Sequence, residues 1–282
     1  MRLDNSRESS NIEDRRGRRM RMGGRGKIGL GTIVLALVAM YFGIDPGIVL
    51  QNAPPTAEDA TYDAEPSATP ETRFVSKVLA DTEDAWEAIF QQQGWGRYRQ
   101  PKLVLFNGAT PTACGTGQSA MGPFYCPGDS KIYLDLSFFK QMEQQLDSPG
   151  DFAQAYVIAH EVAHHVQHLR GITDQVDQAR RGAGAAAANQ LSVRVELQAD
   201  CLAGAWARHS DAQRNTLEPG DIEEALNAAS AIGDDRLQRR SQGYVVPDSF
   251  THGSSEQRVR WFTRGLKSGD IAQCDTFGAA PL

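Results

Sequence analysis

The chain has 282 residues, 40% apolar and 23% charged, the proportions of a globular protein and not of a disordered or fibrous one. Its net charge of −6 hides an asymmetry, because residues 1–27 hold nine Lys/Arg and four Asp/Glu and leave −11 on the remainder. An acidic body with no basic, aromatic-lined face excludes nucleic acid as a partner.

In chain order, residues 1–27 are Arg-rich and poor in large apolar groups, which predicts a solvated tail with no core of its own. Residues 28–44 follow without a single charge. As a helix, that run would span roughly 25 Å, the short end of a membrane crossing. Basic residues crowd its N-terminal flank, and none occurs between Lys27 and Arg73. The positive-inside rule then predicts a single-pass transmembrane anchor, with residues 1–27 cytoplasmic and the body on the far side. The stretch Tyr41-Phe42-Gly43-Ile44-Asp45-Pro46 lacks the small-x-small pattern of a cleaved signal peptide. Residues 45–71, with Pro54, Pro55, Pro66 and Pro70, predict an extended linker to a body at 72–282.

Within the body, Phe74, Val75, Val78, Leu79, Trp86, Ile89 and Phe90 recur at helical spacing over 72–93. Short strands are predicted at 102–106 and 131–136, with a Gly-rich, Cys-flanked loop between them. Helices are predicted at about 150–169, 189–209, 219–232 and 254–266. Few strands followed by many helices imply an α+β fold, mostly helical with a small sheet. Cys114, Cys126, Cys201 and Cys274 permit three connectivities, and an even number suggests disulfides in an exported body. Proximity favours Cys114–Cys126, leaving Cys201–Cys274.

The chemistry concentrates on 150–169. His160 and His164 lie one turn apart on one side, so both imidazoles can reach one ion, as zinc prefers. Glu161 is rotated about 100° from His160 and can face a metal-bound water without ligating, where it would take the proton during attack on an amide carbon. The alternative pair His164/His168 would require a carboxylate at 165, where there is His165. Zinc needs a third ligand, and Glu196 supplies it from a second helix. Asp200, one turn on, can accept the N–H of a ligating histidine.

The blocks H-E-V-A-H-H-V-Q at 160–167, V-E-L-Q-A-D-C-L-A-G at 195–204 and T-H-G-S-S-E-Q-R-V-R-W-F at 251–262 resemble the bacterial neutral zinc metallopeptidase family, as do A-C-G at 113–115 and F-Y-C-P-G-D-S-K-I-Y-L-D at 124–135. The resemblance runs from about 72 to 278. It implies a zincin-like α+β fold, one Zn2+, hydrolysis of peptide bonds, and a bacterial inner-membrane location with the catalytic domain periplasmic or extracellular. The second helix also resembles that of thermolysin-like zincins, in which a Glu binds zinc and an Asp four residues later orients a His.

An oxyanion built during amide attack needs a hydrogen-bond donor besides the metal. His252 precedes a helix whose start, Ser254 and Gln257, fits a capping box. From there it could donate to the oxyanion, and the competing reading is an exposed loop histidine. The expectation is therefore a zinc metallopeptidase acting on exported or membrane-proximal polypeptides, with catalytic Glu161 and His252 and metal ligands His160, His164 and Glu196. The alternative is a zinc-bearing envelope binding protein without turnover, which would have no use for Glu161.

Overall fold

Apolar alternation in two short runs builds the centre of a sheet. The computed structural model describes residues 1–4, 6–16 and 69–282. Strand β1 is Ile12–Asp14, β2 Lys102–Leu105, β3 Ala109–Thr112, β4 Gly115–Gln118, β5 Phe124–Cys126 and β6 Lys131–Leu134. The main sheet has the order β1-β2-β6-β5. β2 and β6 pair in parallel, with Leu103 opposite Ile132 and Leu105 opposite Leu134, all four turned into the core. β5 runs antiparallel to β6 along the edge, and β3 and β4 form a separate hairpin. The Cys114–Cys126 disulfide ties the hairpin's turn to β5, and Cys201–Cys274 is the second bridge. Both pairings match the expectation from sequence proximity.

The helices are α1 (Pro70–Gln92), α2 (Ser137–Gln145), α3 (Asp151–Leu169), α4 (Ile172–Arg181), α5 (Ala185–Arg214), α6 (Asp221–Ala231), α7 (Asp234–Gln242) and α8 (Ser255–Ser268). α1 starts where the side chain of Thr69 accepts from the Thr72 amide and Pro70 presets the first turn. α3 and α5 run through the middle of the body. Ala155, Ala159, Ala163, Ala199 and Ala203 are fully buried, and their small side chains suit close helix packing. α5 and α8 meet backbone to backbone: a Cβ at Gly204 would overlap the Phe262 carbonyl, and one at Gly265 the Cys201 carbonyl. The largest buried side chains are aromatic, with Trp86, Trp206, Trp261, Phe152, Tyr156 and Phe262 shut away from solvent.

Residues 1–16 correct the expectation of a solvated tail. β1 pairs in parallel with β2, Ile12 opposite Leu103 and Asp14 opposite Leu105. Met1 and Leu3 are buried, and Ile12 packs on the core. Apolar patterning does not reveal this docking because much of it is polar: Arg7, Ser9 and Asn11 all hydrogen-bond the buried Glu83 carboxylate of α1. A shared sheet requires residues 1–16 and the body to lie on one side of any membrane. That arrangement does not accord with a cytoplasmic N-terminus opposite an exported body. The apolar run 28–44 and most of the linker lie outside the described residues. Among the described residues, no helix is long and apolar enough to cross a membrane.

Candidate metal centre

His160 and His164 leave α3 on the side that faces Glu196 of α5. His160 Nε2 is 3.2 Å from His164 Nε2 and 3.1 Å from Glu196 Oε2, and His164 Nε2 is 3.5 Å from Glu196 Oε1. Zinc with ligands at about 2.0–2.1 Å in tetrahedral geometry separates its donors by roughly 3.3 Å. Each pair of side chains therefore stands close to the spacing such an ion requires, the Glu196 carboxylate turning a different oxygen to each histidine.

The far side of each ring decides which nitrogen is free. Asp200, fully buried, accepts from His160 Nδ1 at 2.9 Å. A carboxylate only accepts, so Nδ1 carries a hydrogen and Nε2 is the nitrogen left to meet a cation, whether a proton or a metal ion. Asp200 is held in turn by Tyr156, whose hydroxyl donates at 2.5 Å, and by Arg258, whose Nε and Nη2 both donate at 2.9 Å. His164 is treated differently: its Nδ1 donates to Gln167 Oε1 at 2.8 Å. Gln167 is buried, and its Nε2 donates to the Val195 carbonyl at 2.8 Å and to Gln198 Oε1 at 3.0 Å.

Two inward lone pairs beside a carboxylate call for a cation. Burial works against charge on His160, yet the hydrogen bonds and charges of Asp200 and Glu196 raise its pKa to about 10. Burial likewise opposes charge on His164, and the Glu196 carboxylate outweighs it and raises the pKa. Burial would raise Glu196, but the two imidazoles hold it well below the usual carboxylate range. A proton can answer that demand, and a divalent ion of matching geometry can answer it better.

Glu161, the next residue along α3, is buried at the rim of this cluster, and its charge acts on His164. His252 stands apart from the candidate ligands on the loop before α8, its imidazole 51% exposed. The loop is built around Asp234, whose carboxylate accepts from the Thr251, His252 and Gly253 amides and lies 3.2 Å from His252 Nδ1. That hydrogen bond raises the His252 pKa against burial, and the Glu196 charge adds to it. Ser254 and Gln257 form the expected capping box behind it.

His165 and His168 take no part. His165 bonds Tyr125 and the Arg99 carbonyl, and burial lowers its pKa to about 4. Tyr156, Gln167, Asp234 and Arg258 escaped the sequence reading, although Gln167 and Arg258 lie inside the quoted blocks. A second carboxylate group, Asp151, Asp221 and Glu224, sits at the starts of α3 and α6. The Met1 ammonium, 2.7 Å from Asp151 and 3.2 Å from Asp221, already supplies a cation there.

The family model described as "Putative neutral zinc metallopeptidase" matches residues 1–277. The chain is 53% identical over 286 residues to the uncharacterized protein YpfJ of Escherichia coli K12, covering 99% of each. It is 41% identical over 259 residues to the uncharacterized protein Mb2605 of Mycobacterium bovis, covering 86% of each. No solved structure matches it.

Proposed function

This chain belongs to the neutral zinc metallopeptidase family, and we propose that it hydrolyses peptide bonds with one zinc held by His160, His164 and Glu196 and with Glu161 as general base. The observation that carries this reading is the meeting of His160, His164 and Glu196, whose nearest nitrogen and oxygen atoms are 3.1–3.5 Å apart pair by pair, with both histidines already engaged at their outer nitrogens. Zinc bound there would act as a Lewis acid, acidifying water and sharing the negative charge of the attacked carbonyl oxygen. Glu161 takes the proton of the attacking water and returns it to the leaving amine. Asp200 and Gln167 keep the two imidazoles in the tautomer that leaves Nε2 free. His252, held by Asp234, donates to the developing oxyanion. The crossing of α3 and α5 supports a zincin-like site.

The second reading, a zinc-bearing binding protein, leaves Glu161 without a task. Two disulfides support an oxidising compartment and hence exported or membrane-proximal polypeptides as substrates. We propose that residues 28–44 attach the protein to a bacterial inner membrane, with residues 1–16 on the same side as the body.

The test is zinc content together with cleavage of a random peptide library by the parent protein and Glu161→Gln. The variant should keep stoichiometric zinc and lose hydrolysis by about 10²–10⁴-fold. Parent-like cleavage by Glu161→Gln removes Glu161 as the base, and a zinc-free parent removes the site.

A further inference from the structure

The hydrogen bonds beyond His164 do not end at Gln167. Gln198 Oε1 receives the Gln167 amide, and Gln198 Nε2 donates to the carbonyl of Cys274 at 3.1 Å. Gln167 and Gln198 are both buried, so water does not substitute for a missing partner. Cys274 closes a turn at Ile271–Cys274 and is bonded to Cys201, the residue after Asp200 on α5.

We propose that Gln167 and Gln198 are positioning residues for zinc, a head-to-tail amide chain through which the disulfide-held turn at Cys274 fixes the tautomer of His164. The proposal rests on the zinc reading of the centre.

Hydrogen-bond polarity sets the direction of the whole chain. A backbone carbonyl accepts and never donates. Gln198 must therefore turn its NH2 to Cys274 and its oxygen to Gln167. Gln167 must turn its NH2 to Gln198 and to the Val195 carbonyl, which leaves its oxygen for His164. His164 Nδ1 must then carry the hydrogen, and Nε2 keeps its lone pair toward His160 and Glu196. Reversing any member of the chain sets two acceptors or two donors face to face in a buried site. No charge is involved at any step, so neither salt nor moderate pH change disturbs the chain.

One covalent bond and a set of hydrogen bonds make its outer end firm. The disulfide joins Cys274 to α5, the helix that also carries Glu196, Gln198 and Asp200. The segment after the turn is fastened to α5 as well: Thr276 donates to the Arg194 carbonyl, and Arg194 Nη1 donates to the carbonyls of Thr276 and Ala279. The acceptor at the end of the chain is thereby registered to the same helix as the third metal ligand.

The experiment uses the full-length zinc protein and three variants: Gln167→Met, Gln198→Met, and the pair Cys201→Ala/Cys274→Ala. Zinc affinity is measured by chelator competition, and the downfield Nδ1–H resonances of His160 and His164 are followed by NMR. Gln167→Met should weaken zinc binding by about 10–100-fold, the usual effect of losing an outer partner of a ligand. Gln198→Met should weaken it severalfold, because the Val195 carbonyl still restrains Gln167, and the cysteine pair should shift it in the same direction. In all three, hydrogen exchange at His164 Nδ1 should accelerate while His160 Nδ1, held by Asp200, stays as in the parent.

A merely structural defect would move both histidines together, and that result overturns the proposal. So does parent-like affinity and exchange in Gln167→Met or Gln198→Met. If either fails to fold, the cysteine pair, which keeps both amides, decides: unchanged His164 exchange there overturns the link to Cys274. A parent protein that binds no zinc is a different failure, since it removes the centre itself.

Discussion

The two histidines of the candidate centre are the same side chain held in two different ways. His160 leans on a buried ion pair, Asp200 with Arg258, with Tyr156 completing the carboxylate's partners. His164 leans on neutral amides that end on a backbone carbonyl. Both arrangements put the hydrogen on Nδ1, so tautomer choice does not require charge. Charge matters for the balance of the site. Arg258 offsets Asp200, leaving Glu196 and Glu161 to balance a divalent ion. A second carboxylate behind His164 would make the cluster net negative and both imidazoles more electron-rich, which would blunt the acidity that zinc confers on water. The neutral arm supplies orientation without that effect.

The charged arm is where damage should be greatest. Asp200→Asn leaves the Arg258 guanidinium buried with one carboxylate lost, and removing one partner of a buried pair typically costs about 3–5 kcal/mol. Urea denaturation should show that loss, and zinc affinity should fall with it. The double variant Asp200→Leu/Arg258→Met should recover most of the stability and none of the affinity. Recovery of both would mean that Asp200 does not orient His160.

His252 belongs to neither arm, so its removal should affect the rate alone. His252→Ala is expected to keep zinc content and substrate binding and to reduce single-turnover rate by about 10²–10³-fold, as when one oxyanion donor is lost. Reduced zinc would make it a ligand after all, and an unchanged rate would return it to the exposed loop.

Converting the neutral arm into a charged one sharpens the contrast. In Gln167→Glu the carboxylate still accepts from His164, while the Val195 and Gln198 oxygens lose their donor. Stability should fall by about 1–3 kcal/mol, the cost of unsatisfied buried groups, with zinc retained. Loss of zinc in a folded Gln167→Glu protein would show that the amide does more than accept.

These differences explain what the sequence disclosed. His160, Glu161, His164, Glu196 and Asp200 were legible because each pair is fixed by helical spacing within one element. Arg258 was not, because it lies 58 residues from Asp200 and is brought to it only where Gly204 and Gly265 let α5 and α8 touch. Gln167 was invisible for another reason: a glutamine three residues past a histidine has no signature until its own partners are known. Among the elements, α1, α3, β2 and β6 followed their apolar periodicity. α7 did not, since its only large apolar residue, Leu237, is exposed and its role is to carry Asp234. The alanines at 185–188 open α5, which runs for 30 residues. β1 was missed because parallel pairing uses backbone groups and two of its three side chains, Glu13 and Asp14, bond cations instead of filling a core.

β1 also gives the smallest predicted effect and a control for both arms. Glu13 bonds Lys131 of β6 at 2.9 Å and Arg15 at 2.8 Å. Burial would raise its pKa, but those two cations hold it below the ordinary carboxylate value of 4.5. A carboxylate depressed on folding contributes stability that is present above its unfolded value and is lost as pH falls through its folded one. β1 should therefore loosen below about pH 4.5, and the amide of Leu103, which donates to the Asn11 carbonyl, reports it. Its hydrogen-exchange protection factor should decline there ahead of that of Ile158 in α3. At neutral pH, Glu13→Gln should lower Leu103 protection by an amount corresponding to at most about 1 kcal/mol, the scale of a partly exposed ion pair. Zinc affinity in that variant should equal the parent's, because nothing in either arm touches β1. A Glu13→Gln protein that lost zinc affinity would mean that the sheet edge and the metal centre are coupled, and that the arms alone do not set the ligands.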